Sequence, residues 1–319
     1  MLCKGYEINR TKEMEKKMTT KTGIDLSMST AAKKTVETRF GTMAYFDCGS
    51  GFPAVMIHGL GQSAYFWRYQ LAEFAPERRC IAVDMMAHGQ TEAHPDQDVS
   101  FREQAAMILE ALTAIGIDQF DLVLNDSGGA VGQIMAVNAP GRVRSMVITN
   151  CDVHDNWPPE ALGSIRDAAR AGLLADQFGI FVDNPDLFRA EGGIGPMVYQ
   201  DPDRMVTREA MLANLAPIIS SAERKAAFNR YAGLQDHSQL MVIEDRIRAL
   251  ETPCLIIWGT DDVFFPVRWA YWLKDALKGA RDVVEIDGAK LFFPEERPEV
   301  LNEPMRQFWA DLPRQPASG

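Results

Sequence analysis

A parallel α/β sheet with helices on both faces and an inserted helical cap is the fold class that the sequence predicts. Three observations lead to it. Short apolar runs of strand length recur along the chain, helical stretches separate them, and one long segment interrupts the alternation with helical patterns and no convincing strand.

The runs are Ala54 to His58, Cys80 to Asp84, Leu122 to Asn125 and Met146 to Thr149, then Cys254 to Trp258 and Val283 to Ile286. Each is apolar along its length rather than alternating, as expected of strands buried on both faces. Residues Thr35 to Gly49 alternate around Gly41 and predict an opening antiparallel hairpin. Helices are expected over Phe101 to Ile115, Gly129 to Asn138, Trp269 to Leu277 and Pro298 to Trp309. Such alternation gives right-handed crossovers and places any site at the carboxyl ends of the strands, where His58, Asp84, Asp126 and Asn150 fall. The expected division is a disordered tail over 1–34, the first part of the core over 35–154, a helical cap over 155–239 and the second part of the core over 240–319.

Composition narrows the partners. The 319 residues are 46% hydrophobic and 24% charged, and 33 basic against 44 acidic side chains leave a net charge of −11. That charge opposes nucleic acid and anionic membranes, and no apolar run reaches the roughly 20 residues of a membrane span. The five cysteines are scattered and the five histidines form no HExxH pattern, so neither a metal nor a cofactor is expected. Scattered thiols beside apolar runs fit a reducing compartment, hence a cytoplasmic location and a small-molecule substrate. A homodimer is left open.

Five segments carry chemistry. His58-Gly59-Leu60-Gly61-Gln62 follows a strand, and its small residues suit a loop that aims backbone N–H groups, Leu60's among them, at a developing oxyanion. Asp84 to Thr91 reads as a loop-shaping segment. Leu122 to Ala130 runs an apolar strand into Asn125-Asp126-Ser127-Gly128-Gly129, where small residues let a helix start against the sheet. Trp258 to Pro266 contains Asp261 and Asp262, and Gly288 to Pro298 follows the last strand.

In this order the five segments resemble the α/β-hydrolase superfamily over residues 35 to 312. The HGLGQSAYFWR stretch is nearest its haloalkane dehalogenase and epoxide hydrolase branch. The resemblance implies an aspartate nucleophile at Asp126, with Ser127 lending its backbone N–H to the oxyanion hole and Asp262 as the acid of the triad. A rival register makes Ser127 the nucleophile, and Leu124, bulky where the turn wants a small residue, keeps that register open.

The departure from the pattern is at Leu291, which occupies the place of the family's catalytic histidine. Leucine neither accepts a proton nor activates water. His154 and His237 are candidate substitutes for the missing base. An aspartate attacks saturated carbon well, so epoxides and alkyl halides rank above esters. Ser127 and Leu60 stand where dehalogenases of this branch hold the halide with Trp and Asn, which disfavours dehalogenation. Epoxide opening calls for a phenolic acid from the cap, for which Tyr199 and Tyr231 are candidates. The expected function is therefore epoxide-hydrolase-like action on a small, largely apolar molecule. The alternatives are a serine-type esterase or lactonase using Ser127, and a non-hydrolytic binding protein. Phe181, Leu187, Phe188, Met197, Met211 and Leu212 are the expected lining of an apolar chamber under the cap.

Overall fold

A computed structural model describes residues 32–156, 159–234 and 236–313, so the expected tail lies outside the described residues except at its last three positions. Eight strands form one sheet in the order β1-β2-β4-β3-β5-β6-β7-β8. β1 (Lys34–Thr38), β2 (Gly41–Cys48) and β4 (Arg79–Val83) pair antiparallel, and Gly41 at φ 108° turns the first hairpin. β3 (Pro53–Ile57), β5 (Phe120–Asp126), β6 (Val143–Cys151), β7 (Cys254–Gly259) and β8 (Ala280–Ile286) continue the sheet in parallel from β4.

β3, β5 and β6 occupy the middle of the sheet and carry its most apolar sequence, with Val55, Met56, Ile57, Leu122, Val123 and Leu124 fully buried. Helices Phe101–Ala114, Ser127–Asn138, Arg268–Ala276 and Pro298–Ala310 form where the sequence predicts them, within two residues. The segment Ala64–Phe74, a short 3₁₀ turn running into a helix, is not anticipated. Nearly every residue of it is buried, including Arg68 and Gln70, so it shows no polar face by which a helical period could be read. Arg68 pairs with Glu295, and Gln70 donates to Pro294 O at 2.9 Å and Asn302 Oδ1 at 3.1 Å.

Between β6 and β7 every regular element of the described residues, from Glu160 to Ala249, is a helix. The last of these, Glu244–Ala249, packs on helix Ser127–Asn138 of the sheet layer. Arg224 and Arg230 tie this insertion to the core by donating to carbonyls of Gly89, Pro95 and Gln97.

The tightest packing surrounds the junction of β5 and helix Ser127–Asn138. A Cβ on Gly128 would meet the carbonyl oxygens of Ile57 and His58, and one on Gly129 would collide with Cys151. Leu124, large for its place in such a turn, fits because Gly132 on the helix leaves room for its isobutyl group. Overpacking of this kind costs about 1–3 kcal/mol. Gly132→Ala and Leu124→Ala should therefore each destabilise the protein in urea denaturation. The double variant should be at least ~1 kcal/mol more stable than the sum of the two losses predicts. Strict additivity would mean that the two positions do not share this space.

Candidate active site

β5 ends at Asp126 and the helix begins at the next residue, with no loop between them. Asp126 takes φ 53° and ψ −134°, a left-handed conformation that costs a non-glycine residue about 1–3 kcal/mol. The turn throws its carboxyl up from the sheet edge. Oδ1 accepts the Ser127 N–H at 2.7 Å and Oδ2 accepts the Leu60 N–H at 3.2 Å, the second from the loop that follows β3. Gly59 is needed beside this carboxyl, because a Cβ there would overlap Asp126 Oδ2. The side chain lies between two backbone donors, the arrangement that stabilises negative charge developing on an oxygen.

Asp262 follows β7, and three donors hold it: Asn150 Nδ2 at 2.7 Å, Phe264 N at 2.8 Å and Phe265 N at 3.3 Å. Burial still outweighs these donors and raises its pKa to about 6. Burial likewise raises Asp126 to about 7, with the Asp262 charge adding to the rise and the Ser127 and Leu60 N–H groups opposing it. Asp152, fully enclosed just after β6, is pushed well above the usual carboxylate range by burial and by Asp126.

Above Asp126 the insertion closes a chamber of about 60 Å³. The volume falls well below the roughly 300 Å³ of an ordinary ligand site. Phe188 and Met211 line it as the sequence predicts. Phe181, Leu187, Met197 and Leu212 do not; Leu187 and Leu212 are exposed, and Phe181 packs edge-on against Phe188 and at a tilt against Phe178. Leu162, Ile165, Phe178, Ile194, Val198 and Leu215 take their place.

Leu291 lines the same chamber, its carbonyl accepting Asn125 Nδ2 at 3.1 Å. No histidine is among the lining residues. His154 lies off the chamber, stacked on Trp269 and Trp272, with Nε2 3.0 Å from Glu244 Oε2. His237 is exposed on the insertion. Neither reaches Asp126, so the structure does not bring either proposed substitute base to the site. His58 is buried and neutral, its pKa pushed down to about 4 by burial, and its Nε2 accepts the Met85 N–H at 3.1 Å. Its role is to brace the loops after β3 and β4. Asp84 braces them too, accepting from Ala64 N and Gln90 N and pairing with Lys33.

The two tyrosines differ in place. Tyr199 reaches the chamber wall, but its hydroxyl donates to Glu295. Tyr231 donates to Ser127 Oγ at 2.9 Å and packs on His88, outside the lining. Ser127 itself is not among the residues that line the chamber Asp126 faces. Two lining residues that the sequence does not single out, Gln62 and Asn214, bring carboxamide side chains there. Gln62 could have been found from its place in the HGLGQ loop; nothing in the sequence marks Asn214. Among the described residues, no group of His, Cys, Asp or Glu is arranged to hold a metal, and no helix is long and apolar enough to cross a membrane.

Comparison with known proteins places this geometry. A family profile described as alpha/beta hydrolase fold matches residues 53–181. The 2-hydroxymuconate semialdehyde hydrolase of Pseudomonas sp. (strain CF600) is 37% identical over 242 residues, covering 74% of this chain and 79% of that protein. The chain belongs to the α/β-hydrolase fold family. Within it, human epoxide hydrolase 4 is 24% identical over 78% of this chain and 70% of that protein. A reconstructed ancestral haloalkane dehalogenase has the same fold, with a TM-score of 0.73 at 20% identity over 88% of this chain and 99% of the other.

The raised carboxyls of this α/β-hydrolase couple its stability to pH. In the folded state Asp126 and Asp262 bind protons more tightly than in the unfolded chain, where carboxyls titrate near ~3.9. Their contribution to stability is therefore full below about pH 4 and is lost as pH rises through 6 to 7. Asp126→Asn should raise the thermal midpoint at pH 8, by a free energy on the order of 4 kcal/mol, and bring no gain at pH 4. A pH-independent effect in thermal melts would mean that Asp126 is not held at the raised value.

Proposed function

We propose that the protein is a hydrolase that acts on a small, largely apolar molecule, with Asp126 as the nucleophile toward saturated carbon. The observation that carries this reading is the position of Asp126 at the strained strand-to-helix turn, facing the chamber between the Leu60 and Ser127 N–H groups. Relatives named as epoxide hydrolases support the same chemistry. With an epoxide, a carboxylate oxygen bonds to carbon as the ring C–O bond breaks. The product is a single species, an ester of Asp126 that carries the former ring oxygen as an alkoxide on the adjacent carbon, and that alkoxide takes a proton from water and leaves hydroxide. The ester carbonyl then faces the two N–H donors.

Ser127 is a poor rival, because Asp126 lines the chamber and Ser127 does not, its Oγ accepting from Tyr231 outside the lining. A pKa near 7 also suits Asp126 as a general base, and covalent labelling separates that reading from the nucleophilic one. Leu291 leaves no imidazole to activate the water that would cleave the ester, so the intermediate should be long-lived.

Incubation with styrene oxide should add the epoxide's mass to the peptide bearing Asp126. Asp126→Asn should abolish the adduct and Ser127→Ala should retain it. The labelling rate should climb with pH up to about 7 and then level, since only the ionised carboxylate attacks. An adduct that survives Asp126→Asn would sink the assignment, and loss of turnover without any adduct would favour the general base.

Leu291→His should convert the stalled ester into turnover, because the new imidazole enters a chamber that already holds Asp126, with Asp262 beside it. Steady-state diol release by the folded variant is the measurement. A variant that still accumulates the ester without releasing diol would show that position 291 does not deliver a base to it.

A further inference from the structure

Apart from Asp126, the chamber has three polar lining residues, Gln62, Asn214 and Tyr199, and the Tyr199 hydroxyl is committed to Glu295. Gln62 sits on the turn after Gly61, with its backbone N–H bound to Gly59 O at 3.2 Å. Its side chain is 6% exposed, and its Oε1 is buried with no hydrogen-bond partner. A buried amide left open in this way is costly unless something else fills the vacancy. Asn214 ends helix Arg208–Asn214 of the insertion and is 3% exposed. Ser63 Oγ donates to its Oδ1 at 2.9 Å, which fixes the amide and leaves Nδ2 without a partner among the described residues. One carboxamide thus comes from the core and one from the insertion, and both border the chamber that Asp126 enters.

We propose that Gln62 and Asn214 form a neutral polar subsite that holds an uncharged oxygen- or amide-bearing group of the substrate beside Asp126, and that the chamber rejects carboxylates. The proposal deepens the assignment of Asp126 as the attacking group and rests on it for its meaning in catalysis. The two amides together offer donors to a neutral oxygen and, at Gln62 Oε1, an acceptor for an N–H or O–H. No Lys, Arg or His is among the lining residues, so nothing compensates an anion there. An anion would instead meet Asp126 and the nearby charge of Asp262 in a low-dielectric enclosure. A muconate, the substrate class in the name of one relative, is a carboxylate and finds no counter-ion in this lining.

Three probes of similar size separate the terms: benzamide, benzoate and toluene, titrated calorimetrically into the full chain at pH 8. A neutral hydrogen bond corresponds to roughly 2- to 12-fold in affinity. Benzamide should therefore bind about tenfold or more tighter than toluene, and benzoate more weakly than either. Gln62→Leu and Asn214→Leu should each cut benzamide affinity by roughly three- to tenfold and leave toluene within about twofold, in variants with an unchanged circular dichroism spectrum. Ser63→Ala, which alters no lining residue, should reproduce part of the Asn214 loss by freeing that amide to turn. Tightest binding by benzoate, an undiminished benzamide preference in both leucine variants, or no binding of any probe at millimolar concentration would overturn the proposal. Because these readouts are non-covalent, failure of labelling at Asp126 with the amide preference intact would count against the nucleophile alone. The reverse result would count against the subsite alone.

Discussion

The backbone conformation of Asp126 is the constraint on which the rest of the site depends. At φ 53° and ψ −134° the residue is strained by about 1–3 kcal/mol, and the strain persists only because its surroundings leave no alternative. β5 is paired on both sides nearly up to the turn, and helix Ser127–Asn138 starts at the very next residue. Gly128 and Gly129 let that helix sit directly on the loop after β3 and on Cys151 of β6. The carboxyl caps the helix through Ser127 N, so the group held in strain also satisfies a donor that the helix would otherwise leave open.

Electrostatics follow from that placement. A side chain thrown up from a fully buried strand end meets apolar walls, and the two N–H groups on Asp126 do not offset the lost hydration. Asp262 and Asp152 lie close enough to interact with it or with one another's surroundings, and burial raises all three carboxyls. Leucine at position 291 belongs to this picture: an apolar side chain in the lining deepens the desolvation, and no cation among the lining residues relieves it. A carboxyl poised near neutrality is the result.

Much of the fold was legible in the sequence because strands buried on both faces carry unbroken apolar runs, and Leu122 to Asn125 and Cys254 to Trp258 are examples. The antiparallel opening was readable from alternation around Gly41. Helix Arg68–Phe74 was not, since a segment buried all round has no polar stripe. At the site, the motifs located Asp126, Asp262 and Leu291 by their order along the chain. Motif spacing carries no information about side chains that converge from distant turns. That is why His154 and His237, plausible by position, lie off the chamber, while Gln62 and Asn214, far apart in sequence, both line it. Leu124 misled for a related reason, because the space that accommodates it is supplied by Gly132, one helical turn beyond the motif.

The loop that carries Leu291 shows how chemistry at this position is separable from the scaffold. Its backbone is anchored on three sides: Asn125 Nδ2 donates to Leu291 O, Phe292 N donates to Val198 O of the insertion, and Gly288 N donates to Thr260 Oγ1. None of these contacts uses the residue 291 side chain. Just beyond, Glu295 joins Arg68 of the core to Tyr199 of the insertion, fixing the start of the following helix on both layers. The backbone contacts that hold the loop are thus independent of the side chain at 291, while the Leu291 side chain is buried in the core and contributes its packing there. On the reading of Asp126 as nucleophile, the bond-forming half of the reaction depends on the turn and its two N–H donors, all intact, and only the water-dependent half depends on the residue that differs.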